Sequence, residues 1–173
     1  MTFDDFVEER LDPLLRYATV LCCDPHLAKD VVQEVLLRAQ QQWPRIEQAG
    51  SPASYVKRMV TNEFLSWRRR LVNHEVSASL CALDELGPPT PDQTSGYAER
   101  EDMMARLATL PRRQRAAIVL RFYEGCDDAE IALVLDCRQG TVRSLISRGL
   151  AALRIRSHRP VEESPLSLVK EQN

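Results

Sequence analysis

No run in the chain approaches the roughly 18 to 20 uninterrupted apolar residues that a membrane-spanning helix needs. The N-terminus, Met1-Thr2-Phe3-Asp4-Asp5, is acidic and lacks the basic start of a signal peptide. A cytoplasmic protein without a membrane span is the expectation. Aromatic residues are scarce, at 6% of 173. Period-two alternation is missing throughout, which argues against a half-buried β-sheet. There is also no glycine-rich phosphate loop, no metal-ligand constellation and no nucleophile beside a base. The three histidines, His26, His74 and His158, sit in unrelated contexts. Neither an enzyme nor a bound cofactor or metal is expected.

Five cysteines, Cys22, Cys23, Cys81, Cys126 and Cys137, follow no regular spacing. Cys22-Cys23-x-x-His26 resembles a metal site only superficially, because vicinal cysteines rarely ligate one ion and no second ligand pair follows. Buried, reduced core thiols are the expectation.

Lys and Arg are absent between Val72 and Tyr97, where Glu75, Asp84, Glu85 and Asp92 carry the charge. Positive charge gathers instead at Lys57, Arg58, Arg68, Arg69 and Arg70, and again from Arg112 to Arg156. The formal net charge of −2 conceals these two basic patches, which suit two contacts with a polyanion.

Ala, Leu, Val, Arg, Glu and Gln dominate what remains, and they favour helix. Thr2 is a plausible cap, with Asp5 at the third helical position and an apolar stripe from Phe3 to Leu21. Pro13 should kink that helix or start a second one capped by Asp12. Asp24-Pro25 opens the next helix, whose stripe is Ala28, Val31, Val32, Val35, Leu36 and Ala39. Residues 44–50 read as a loop. Ser51-Pro52 then starts a helix to about Arg70, with Val56, Met59, Val60, Phe64 and Trp67 inward. From Val72 to Tyr97 periodicity disappears, and Gly87-Pro88-Pro89-Thr90-Pro91-Asp92 cannot continue a helix. Leu80 to Leu86 could make a short turn. Helical pattern resumes at Ala98, and Pro111 starts a helix carrying Ile118, Val119 and Phe122, closed by Gly125. The fold class is all-α, in two small helical domains.

Asp127-Asp128-Ala129-Glu130 is a capping-box variant leading a short helix with Ile131, Ala132 and Leu135 inward. After a break at Asp136-Cys137-Arg138, a longer helix turns Val142, Ile146, Leu150 and Leu153 to the core. Short helix, turn and longer helix is the helix-turn-helix plan, whose second helix enters the DNA major groove. Gln139, Thr141, Arg143, Ser144, Ser147 and Arg148 are left on the outer side. Arg and Gln can pair with guanine and adenine edges, while Thr and Ser equally suit phosphate oxygens. An ordinary solvated helix is the bland alternative.

Four segments in order resemble the extracytoplasmic-function (ECF) RNA polymerase sigma factors, in the two-domain type met in actinobacteria. Asp30-Val31-Val32-Gln33-Glu34-Val35 resembles the part that docks on the polymerase clamp, which implies Asp30, Gln33 and Glu34 as core-polymerase contacts. Tyr55-Val56-Lys57-Arg58-x-x-x-Asn62 and Trp67-Arg68-Arg69-Arg70 resemble the helix engaging the −10 element. Leu110-Pro111-x-x-Gln114-Arg115 and Gly140-Thr141-Val142-Arg143-Ser144 resemble the reader of the −35 element. The loop at 44–50 matches the family's capture site for a flipped base. Lys57, Arg58 and the Arg68–Arg70 run can neutralise phosphates, and the run also suits the negative end of a helix dipole.

The implied organisation is a polymerase- and −10-binding domain at 1–71, an acidic connector at 72–97, a −35-binding domain at 98–158 and a tail at 159–173. The implied partners are core RNA polymerase, promoter DNA and an anti-sigma factor or other regulator. A helix-turn-helix regulator that acts without polymerase is the rival reading.

Overall fold

The computed structural model describes the backbone of residues 1–71 and 94–157, and the side chains of 1–66 and 98–154. Every element among the described residues is helical. The first half comprises α1 (Phe3–Cys22), α2 (Pro25–Gln41), α3 (Trp43–Glu47) and α4 (Pro52–Leu71). The second comprises α5 (Thr94–Ala108), α6 (Arg112–Ile118), α7 (Asp128–Leu135) and α8 (Gln139–Ser157). A π-helical turn, Val119–Tyr123, extends α6.

Local chemistry sets the helix starts. The Thr2 hydroxyl accepts from the Asp5 amide at 3.2 Å, and the Asp5 carboxylate accepts from the Thr2 amide at 2.9 Å. Asp24 caps α2 through the amides of His26 and Leu27. The Ser51 hydroxyl accepts from the Ser54 amide at the head of α4. Each such cap is worth about 1 kcal/mol.

Pro13 neither breaks α1 nor starts a second helix. Phe6 lies before it and Leu14, Tyr17, Ala18 and Leu21 after it, all buried on one continuous helix. Burying such side chains contributes about 1.5–3 kcal/mol each, enough to outweigh the roughly 3 kcal/mol cost of an internal proline. Residues 44–50 are likewise not all loop. Trp43 and Ile46 are buried, which winds 43–47 into one turn of helix. The Trp43 ring packs on Phe3 and Phe6 with centroids 5.5 and 5.0 Å away, and its indole N–H donates to the Met1 carbonyl.

Three further expectations change. Helix α5 begins at Thr94, ahead of Ala98. Phe122 is not inward but 63% exposed, because the π-helical turn adds a residue per turn and rotates it off the α6 stripe. Among the four cysteines of the described residues Cys22 is buried, while Cys23, Cys126 and Cys137 are half-buried, and these four are free thiols. Burial pushes Cys22 up to about 12, so it stays a neutral thiol. Gly125 closes the π-helical turn at φ +72°, a conformation that glycine takes without strain. The possible turn at Leu80–Leu86, and Cys81, lie outside the described residues.

The halves pack on one another. α4 contacts α6 and α7, and Val56, Val60 and Phe64 share a buried cluster with Ala116, Ala117, Leu120, Ile131 and Leu135.

Candidate functional site

The capping box at Asp127 and Glu130 forms as expected, with both reciprocal bonds at 2.8 Å. It fixes the start of α7, and Asp136 at φ 48° turns the chain into α8. Val142 is buried, and Ile146, Leu150 and Leu153 are half-buried against the rest of the second half. Gly149 lets α8 approach α6 closely, since a Cβ there would meet Ile118 Cδ1 at 2.5 Å. With that face down, Gln139, Thr141, Arg143, Ser144, Ser147 and Arg148 are all exposed. The structure thus brings the six expected residues to the outer side of one helix. Val142 sits opposite them.

Arg143 has a partner that the sequence pattern missed. Its Nε lies 3.3 Å from Asp128 Oδ2, and the other Asp128 oxygen binds Arg121. Held at Nε, the guanidinium keeps its two terminal nitrogens for an external acceptor pair. The Ser144 hydroxyl donates to the Gly140 carbonyl at 3.1 Å and retains its lone pairs for an outside donor.

On α4 the expected residues divide. Arg58 and Asn62 are exposed and one turn apart, so they share a face. Lys57 points elsewhere, toward the second half, where it pairs with Glu124. The side chains of Arg68, Arg69 and Arg70 lie outside the described residues.

On α2, Asp30 and Gln33 are exposed on one face. Glu34 is half-buried and ties down Arg38, accepting from its Nε at 3.0 Å and a terminal nitrogen at 2.6 Å. Arg38 reaches on to Glu63 of α4 at 2.7 Å. Glu34 therefore serves first as a strut between α2 and α4, which leaves Asp30 and Gln33 the more available pair. Leu37 stands 53% exposed beside them, at the edge of an apolar groove of about 310 Å³ between α1 and α2. An apolar residue one turn after Gln33 on a polar face was the sequence signal for it.

Among the described residues no group of His, Cys, Asp and Glu could hold a metal ion. No helix described is long and apolar enough to cross a membrane.

Residues 6–73 match the family described as "Sigma-70 region 2", and residues 100–153 match "Sigma-70, region 4". The RNA polymerase sigma-E factor of Streptomyces coelicolor is 35% identical over 154 residues, covering 89% of this chain and 85% of that one. The chain belongs to the ECF RNA polymerase sigma factors. The ECF sigma factor SigL of Mycobacterium tuberculosis is 34% identical over 152 residues, covering 86% of this chain and 84% of that protein. In fold the chain is similar to the sigma factor RpoE of Bartonella quintana, solved with the anti-sigma factor NepR. That match has a TM-score of 0.65 at 24% identity and covers 90% of this chain and 99% of RpoE.

As a sigma factor the protein binds core RNA polymerase and promoter DNA and acts in transcription initiation without catalysing a reaction itself. The rival of a regulator independent of polymerase falls with the two matched regions. In this sigma factor Arg115, part of the Leu110-Pro111-x-x-Gln114-Arg115 segment, is a buried clamp between helix ends. One terminal nitrogen donates to the Cys22 carbonyl at 3.0 Å and more weakly to that of Leu21 at 3.4 Å. The other donates to the carbonyls of Ala108 at 2.7 Å and Leu110 at 3.3 Å. The last turn of α1 contains no basic residue, so the cation that favours its negative end comes from the other half.

Proposed function

We propose that residues 1–71 dock on core polymerase through Asp30, Gln33 and Glu34, and engage −10 DNA through Lys57, Arg58, Asn62, Arg68, Arg69 and Arg70. Residues 98–158 read the −35 element through Gln139, Thr141, Arg143, Ser144, Ser147 and Arg148. Residues 72–97 connect these domains, and 159–173 form the tail. The observation that carries this reading is the outward face of α8, where all six readers are exposed while Val142 is buried opposite. Arg58 and Asn62 offer the matching exposed pair on α4. A protein that works on polymerase and chromosomal DNA acts in the cytoplasm. Bartonella quintana RpoE was solved bound to an anti-sigma factor, and a protein antagonist of that kind is proposed here as well.

The test is selection from a promoter library randomised across the −35 element, with holoenzyme assembled from wild-type or variant chain. Arg143→Ala is expected to lose about 1–3 kcal/mol of discrimination at particular bases while leaving other positions unchanged. Asp128→Ala should blur the same positions to a smaller extent, since it releases Arg143 Nε. Equal loss on every sequence would reassign Arg143 to phosphate.

A further inference from the structure

We propose that the groove between the π-helical turn and α8 seats residues 161–169 of the same chain, the acidic and apolar segment that follows α8. Seated there, the segment competes with the −35 element for Arg143. The proposal rests on the assignment of Arg143 and Ser147 to −35 DNA.

The groove has a volume of about 470 Å³ and combines two chemistries. Phe122, Ile146 and Leu150 give it an apolar floor, of which Phe122 is 63% exposed. Arg121, Arg143 and Arg154 line it with one carboxylate, Asp128. Asp128 is already shared between Arg121 and Arg143, so the groove does not match its own positive charge. Arg154 is exposed and stands nearest the C-terminal end of α8. Such a lining suits an occupant that brings carboxylates to the arginines and apolar side chains to the floor.

The sequence after α8 carries those groups in order. Glu162 and Glu163 come first, then Leu166, Leu168 and Val169. Pro160 disfavours helical geometry at Arg159, just past Ser157 where α8 ends, and so favours a change of direction. A return along α8 meets Arg154 first, then Leu150 and Ile146, and Arg143 last. Length permits that path. Arg143 lies about 21 Å back along the helix from Ser157, and residues 158–169 reach at most about 40 Å. A segment joined to the groove by so few residues acts at an effective concentration of the order of millimolar, which favours it over a second copy of the chain. The sigma-70 region 4 match ends at residue 153, so the segment lies beyond the part shared with that family.

The test replaces Leu168 of the full-length chain by photoreactive benzoylphenylalanine and, in a second variant, Leu166. Illumination should join either position to Phe122 or to the stretch 146–150 within one chain, as mapped by mass spectrometry. Arg154→Glu should lower the yield about tenfold, and adding Glu162→Arg/Glu163→Arg should restore it. A −35 duplex should lower the yield as well. Leu166→Ser/Leu168→Ser, which leaves the charge unchanged, should raise affinity for that duplex about fivefold. Products that join two chains, products on the first half, or a yield indifferent to Arg154→Glu overturn the proposal. Unchanged duplex affinity in the serine variant does the same. The −35 selection described above separates the two readings. Unaltered selection by Arg143→Ala holoenzyme would sink the site assignment, whereas normal selection without a cross-link in the groove would sink the docking alone.

Discussion

Phe64→Ala is expected to cost about 3–5 kcal/mol of stability, the range for removing a buried phenylalanine from a packed core. The side chain is 1% exposed and sits in the cluster shared by α4 and the second half. Part of the loss is the transfer of the ring, and part is the cavity left where Val60 and its neighbours cannot close in. A further part is specific to this site. The guanidinium carbons of Arg112 and Arg115 lie 4.9 and 5.6 Å from the ring centre, each contact worth about 0.5–2 kcal/mol according to how far it is desolvated. Because the ring belongs to one half and the cations to the other, both halves should unfold at lower urea. Circular dichroism through a urea titration measures this, with Phe122→Ala as the comparison. Phe122 is 63% exposed, and its removal should shift stability by no more than about 0.5 kcal/mol. A loss below about 1 kcal/mol for Phe64→Ala would mean that the ring is not a shared core element.

The second large effect belongs to Arg38→Ala. Glu63 carries a carboxylate on a side chain only 2% exposed, and Arg38 binds it at 2.7 Å. Removing one member of a buried pair costs about 3–5 kcal/mol because a charge stays behind in a poor solvent. Arg38 itself is a third exposed, so about 2–4 kcal/mol is expected here. The same substitution releases Glu34, which Arg38 holds through two bonds. The double variant Arg38→Ala/Glu63→Gln should recover at least half of the loss, since no buried charge then remains. A single variant that unfolds at clearly lower urea than the double agrees with this account. Equal instability of the two would assign the loss to packing of the Arg38 stem.

These two sites also mark where sequence reasoning stops. Helix starts were legible because their chemistry is local: Thr2 with Asp5, Asp24 before Pro25, Ser51 before Pro52, and Asp127 with Glu130. The outward set on α8 was legible for the same reason, since helical spacing alone separates Arg143 from Val142. Long-range effects were not. Burial on both sides of Pro13 keeps α1 whole, and burial of Trp43 and Ile46 turns an expected loop into helix. A single inserted residue in the π-helical turn carries Phe122 outward without any mark in the pattern. Lys57 and Arg58 are neighbours in sequence, yet only the packing of α4 on the second half shows that one meets Glu124 and the other solvent. The Leu110-Pro111-x-x-Gln114-Arg115 segment was visible as a family trait. Its use of Arg115 to hold the end of α1 depends on a contact across the whole chain.

The central claim is that polymerase docking and DNA engagement occupy separate faces of the first half, on α2 and on α4. Titration of core polymerase with two full-length variants, each followed by opening of −10 DNA in the resulting holoenzyme, tests it most directly. Asp30→Ala/Gln33→Ala should weaken polymerase binding by about tenfold or more. Arg58→Ala/Asn62→Ala should bind polymerase within about twofold of wild type and yet fail to open the DNA. Loss of polymerase binding by the α4 variant, with the α2 variant unaffected, would contradict the assignment of both faces.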